Sequence, residues 1–139
     1  MGYTHYFEVT TKVSDEQWNT LTDAVKRIIA AATEENIELA FEYDNPSRLP
    51  CVDNNTIRFN GVGDEGHETF IIARDQGWEF CKTAQKPYDR VVVAVLTVAA
   101  EVIGLKVTSD GNASEWQPDV DWLNSILSGD FTVPDTVAI

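Results

Sequence analysis

The stretch that decides the fold is Glu79-Phe80-Cys81-Lys82-Thr83-Ala84-Gln85-Lys86-Pro87-Tyr88-Asp89-Arg90, running into Val91-Val92-Val93-Ala94-Val95-Leu96-Thr97-Val98-Ala99-Ala100-Glu101-Val102-Ile103. The second part has almost no polar face. β-branching argues mildly for strands, but the length without a turn and the closing Gly104 favour a buried helix over Tyr88 to Ile103. Pro87 suits the start of that helix, because its missing N–H would be unpaired there anyway, and it pushes Lys86 toward an extended conformation. Lys82, Thr83 and Lys86 then fall on a loop just ahead of the helix, with Arg90 in its first turn.

Upstream of this helix, Tyr3 to Lys12 alternates, with Tyr3, His5, Phe7 and Val9 on one face, and reads as a first strand. Ser14 offers an N-cap with Gln17 three residues on. Trp18, Leu21, Val25, Ile28, Ile29 and Ala32 recur at helical spacing, so an amphipathic helix is predicted over about 15–35. Ile37, Leu39 and Phe41 suggest a strand or loop edge, which Asn45-Pro46-Ser47 and Leu49-Pro50 interrupt. Thr56 to Asn60 and Glu68 to Ala73 read as a hairpin joined by a glycine-rich loop, and Trp78 to Phe80 follows as a further extended segment. Downstream, Lys106 to Ser109 is a short strand ending in the turn Asp110-Gly111-Asn112. Pro118 and Asp119 are expected to open a last, short helix that Gly129 terminates.

That order predicts an α+β fold, a two-layer sandwich with an antiparallel or mixed sheet of about 4–5 strands, two main helices and a short C-terminal helix. Residues 1–129 form one domain and 130–139 a C-terminal tail, since Phe131 to Ile139 offers few packing anchors. Edge strands in such a domain invite pairing between copies, hence an expected homo-oligomer.

With 139 residues the chain has the length of one ordinary domain. Its formal net charge of −13 makes the surface repel phosphate backbones, which disfavours direct nucleic-acid binding. The start of the chain lacks the pattern of a signal peptide, and no apolar run is long enough to span a membrane, so the expected compartment is the cytoplasm. Only Cys51 and Cys81 are present, with His5 and His67 far apart in sequence, so no metal and no cofactor is predicted. Gly61-Val62-Gly63-Asp64-Glu65-Gly66 mimics a dinucleotide loop but carries acids where phosphate would sit and leads into a strand.

Against this acidic background three of the ten basic side chains, Lys82, Lys86 and Arg90, gather around one helix start. Unpaired amides and the positive end of the helix dipole make that start a natural anion seat. Lys82, Thr83, Lys86 and Arg90 are therefore candidate anion ligands. Tyr3, His5, Tyr6 and Tyr88 are candidate walls that stack on a base, and Asp110 is a secondary contact. Glu79 and Asp89 could equally satisfy the lysines with no ligand at all. Cys81 reads either as a thiol activated by neighbouring lysines or as a small buried hydrophobe.

Gly2-Tyr3-Thr4-His5-Tyr6, Phe59-Asn60-Gly61, Glu68-Thr69-Phe70, the box Phe80 to Asp89 and Ser109-Asp110-Gly111 together resemble an uncharacterised family of small bacteriophage and bacterial proteins. Gln85 stands where that family's box carries Arg, which removes one anion contact. The resemblance implies a phage-type accessory protein and no particular activity. The leading expectation is a non-enzymatic counter-defence protein that binds and sequesters a small anionic, nucleotide-like signal. Two alternatives stand beside it. One is an acidic inhibitor that imitates nucleic acid toward a host defence protein, through the first helix with Asp15, Glu16 and Asp23 and the acid-rich C-terminal third. The other is a metal-independent phosphoesterase using His5 as acid or base.

Overall fold

A computed structural model describes residues 3–139, so Met1 and the Gly2 of the resemblance lie outside the described residues. The fold is α+β, with three helices and two antiparallel sheets. In chain order the elements are β1 (Thr4–Glu8), α1 (Asp15–Glu34), β2 (Leu39–Ala40), β3 (Cys51–Val52), β4 (Thr56–Gly61), β5 (Phe70–Ala73), β6 (Trp78–Lys82), α2 (Asp89–Val102), β7 (Lys106–Ser109) and α3 (Ala113–Leu127). The strands expected in one sheet are divided between two. One sheet has the order β6-β1-β7, and β4 is the hub of the other, pairing with β2, β3 and β5. The hairpin expected from the glycine-rich loop is the β4–β5 pair, with Thr56 opposite Ala73 and Phe59 opposite Phe70.

Both sheets and all three helices share a single core. Val91 to Ala99 of α2 are buried on every side, which accounts for a helix with no polar face. Phe7 of the first sheet lies 5.3 Å from Phe70 of the second, and Phe70 lies 5.1 Å from Phe59, so an aromatic seam joins the two sheets beneath the helices. The capping box of α1 forms as read, with Ser14 accepting from the Gln17 amide and the Gln17 side chain accepting from the Ser14 amide.

Two expectations are corrected here. The last helix starts at Ala113, five residues before Pro118, because Asn112 and Glu115 form a second capping box that fixes the N-terminus upstream of the proline. The last ten residues are not a loose tail. Asn124 clamps the Phe131 backbone through both side-chain amide atoms, the Ala113 amide donates to the Ala138 carbonyl, and Val137 is only 2% exposed. No helix among the described residues is long and apolar enough to cross a membrane.

Candidate functional site

Antiparallel pairing brings the start of β1 and the ends of β6 and β7 to one end of the three-stranded sheet. The helix starts of α2 and α3 follow directly from those strand ends. Most of the candidate residues therefore do gather in one region, but the seat expected at the α2 start is closed from within.

Asp89, the first residue of α2, accepts at a single oxygen, Oδ1, from Thr83 Oγ1 at 2.6 Å and from His5 Nε2 at 2.7 Å. Thr83 and His5 are fully buried. The amides of Asp89, Val91 and Val92 donate to the carbonyls of Lys86 and Tyr88, so they do not face a ligand. Tyr88 is also buried, and its hydroxyl donates to the Glu68 carbonyl at 2.5 Å. Burial raises its pKa above the ordinary phenol value, and the neighbouring Cys81 adds to the effect. A helix start buried this deeply satisfies its donors internally, which is the physical reason these three amides are taken within the protein.

Arg90 is also taken. Its Nε donates to Asp119 Oδ1 at 3.2 Å, its Nη1 lies 4.0 Å from Glu35, and its guanidinium stands over the Trp122 ring. Burial pushes the Asp119 carboxyl up, and Arg90 opposes that shift. Cys81 follows the buried-hydrophobe reading, its thiol pushed up to about 12 by burial.

The two lysines behave differently. Among the described residues the ion pairs are His5–Asp89, Arg58–Glu42, Arg74–Asp15 and those of Arg90; neither Lys82 nor Lys86 belongs to one. The pairing with Glu79 or Asp89 that could have satisfied them is not made. Lys82 is the last residue of β6 rather than a loop residue. Lys86 borders a cleft of about 630 Å³ with Tyr43, Gly63, Asp64, Gly66, His67 and Glu68, a cleft that Lys82 does not line. Between them Ala84 and Gln85 both take left-handed backbone angles, with φ of 53° and 54°, which turns the chain sharply from β6 into α2.

The alternation of β1 and β6 sorts the remaining candidates. His5, Phe7, Cys81 and Val107 face the core, so Thr4, Tyr6, Glu8, Trp78, Phe80, Lys82, Lys106 and Thr108 share the outer face. On that face Trp78 is 59% exposed and Phe80 41% exposed. The Tyr6 and Trp78 rings stack at 6.1 Å, and Trp78 lies 5.5 Å from Phe80. Lys82 and Lys106 stand at opposite corners of this patch. Asp110 borders it, accepting from the Thr4 amide at 3.0 Å and from the Tyr6 hydroxyl at 3.4 Å. Strands of four to five residues, three abreast, make a face of about 10 × 13 Å.

Trp78 and Phe80 were absent from the residues singled out in the sequence. Their signal was there: Trp78, Phe80 and Lys82 occur at every second position, the spacing that puts them on one side of a strand. Tyr3 stands apart from this patch, edge-on to His5 at 5.2 Å.

No protein-family model, no curated protein and no solved structure matches the chain. What the site does has to be read from its own chemistry.

Proposed function

We propose that the protein captures a small anionic, nucleotide-like molecule on the outer face of the β6-β1-β7 sheet, and that it acts as a phage-type counter-defence protein by sequestering such a signal. The observation that carries this reading is the exposed row Tyr6, Trp78 and Phe80 beside an unpaired Lys82. Aromatic faces stack on any base, and a lysine ammonium takes phosphate as a point charge. Lys82 and Lys106 flank the aromatic rings and Glu8 and Asp110 share the face with them, so the patch is locally balanced in a chain of net charge −13, which suits a compact anion better than a long polyanion that the rest of the surface repels.

Calorimetric titration with a set of mono-, di- and cyclic nucleotides tests it. Trp78→Ala is expected to weaken binding by about 5- to 150-fold, the equivalent of one lost base–aromatic stack. Lys82→Glu should weaken it further for more highly charged ligands. Failure of every nucleotide to bind, together with concentration-dependent self-association that Trp78→Ala abolishes, would reassign the face to contact between copies of this chain.

A further inference from the structure

On the inner side of the same sheet, Ser109, His5 and Asp89 form an unbroken chain of hydrogen bonds. Ser109 Oγ lies 2.8 Å from His5 Nδ1, and His5 Nε2 lies 2.7 Å from Asp89 Oδ1. The partners fix the proton positions. Asp89, as a carboxylate, only accepts, so Nε2 carries the imidazole proton and Nδ1 of the neutral ring is an acceptor. Ser109 Oγ accepts from the Gly111 amide at 2.9 Å and from Trp116 Nε1 at 3.2 Å, so its own hydrogen is left for Nδ1. Thr83 holds Asp89 on the oxygen that receives His5, and Trp116, 5.4 Å from the imidazole and perpendicular to it, packs one side of the ring.

We propose that Ser109 is a nucleophile activated by His5, with Asp89 as the positioning residue, and that the site acts on uncharged carboxylic esters. The hydroxyl, the imidazole that accepts its proton and the carboxylate that orients the imidazole are the parts of a serine hydrolase relay, here with the roles of the two ring nitrogens exchanged. His5 is fully buried, whereas Ser109, the last residue of β7, is partly exposed. Tyr3 covers the approach, its hydroxyl occupying the space that a side chain at Gly111 would fill. Tyr3 itself is half-buried and belongs to the segment just ahead of β1, and access to Ser109 requires this one side chain to turn aside. The substrate class follows from charge. Asp89 stands behind His5 and Asp110 follows Ser109 directly in the chain, and these carboxylates repel an anionic substrate at Ser109.

In the reaction the longer bond from Trp116 Nε1 opens and the lone pair it releases on Ser109 Oγ forms a bond to the ester carbonyl carbon while the serine proton passes to His5 Nδ1, and the carbonyl electron pair moves onto oxygen. Collapse of that adduct breaks the bond to the alkoxy oxygen, and the alcohol leaves with the proton from Nδ1. Water, losing a proton to the same nitrogen, then cleaves the acyl-serine, so that ester and water give carboxylic acid and alcohol with Ser109 restored.

The test uses a neutral alkyl fluorophosphonate, which phosphonylates an activated serine with loss of fluoride, read by intact mass and peptide mapping. The wild-type protein is expected to gain one adduct, at Ser109, and Ser109→Ala to gain none. Asp89→Asn, assayed at a temperature where it is folded, should slow labelling by about a hundredfold or more. Folded wild-type protein that acquires no adduct at Ser109 under excess reagent overturns the proposal whether or not Ser109→Ala folds, and so does Asp89→Asn labelling at the wild-type rate.

Discussion

Replacing Asp89 by Ala and by Asn separates what its shape contributes from what its charge contributes. Both of its side-chain hydrogen bonds end on Oδ1, from His5 Nε2 and Thr83 Oγ1, and both donors are buried. Asp89→Ala removes the acceptor and leaves an imidazole N–H and a hydroxyl unpaired. At about 1.5–3 kcal/mol for each bond to a charged acceptor, the cost is about 3–6 kcal/mol. An unfolding entropy of about 2.1 cal/mol/K per residue over 139 residues gives about 0.29 kcal/mol/K, so Tm should fall by about 10–20 °C. Asp89→Asn keeps a carbonyl oxygen in the Oδ1 position and loses only the charge, so about 1–2 kcal/mol is expected. Urea titration and calorimetry of both variants measure the difference directly. An Asp89→Ala protein less than about 1 kcal/mol below wild type, or equal losses for Ala and Asn, would refute the reasoning that this carboxylate is the hub of the site.

Stability should decline in alkali for a definite reason. Burial raises Cys81 to about 12, and Tyr3 and Tyr88 also lie above their ordinary value. The unfolded chain loses these protons first, so the stabilisation is complete below the unfolded values, about 8.5 for the thiol and about 10 for the phenols. It is lost as pH rises from there toward the folded values, at up to about 1.4 kcal/mol per pH unit for each group. Urea midpoints measured from about pH 8 to 11 should fall, with a shallower early decline in Cys81→Ala; a flat wild-type profile contradicts the burial of these groups. At the other end of the chain, Val137→Asp places a charge in the core that the final residues help to close, and a loss of about 2 kcal/mol or more by urea titration is expected. A loss within about 0.5 kcal/mol, the range of an ordinary surface change, means that the segment does not dock.

The elements that were legible in the sequence are those whose signal is local. The α1 capping box, the β4–β5 hairpin, the strand Lys106 to Ser109 and the helix Asp89–Val102 all follow from periodicity, capping residues and turn chemistry within a few positions. The start of α3 lies upstream of the one Pro118 suggests, because the Asn112 and Glu115 capping box sets a helix start more firmly than a proline that the helix can absorb near its first turns. The packing of the last residues was invisible for a different reason. Val137 is buried in the common core and Ala138 accepts from the distant Ala113 amide, and no property of the segment itself records those partners.

The box Glu79 to Arg90 shows the same division within the candidate site. Its residues by themselves determined that cations, a threonine and a helix start would lie close together, because they are adjacent in sequence. Only the tertiary structure decided which of them face solvent. The antiparallel pairing of β1 with β6 and β7 sets His5, Cys81 and Ser109 on the inner face and Tyr6, Phe80 and Lys82 on the outer one. Burial of the α2 start then obliges Asp89 to take Thr83 and His5 as partners, since buried donors must find acceptors within the protein. Charge and spacing are properties of a sequence, but partnership is settled by which surfaces meet.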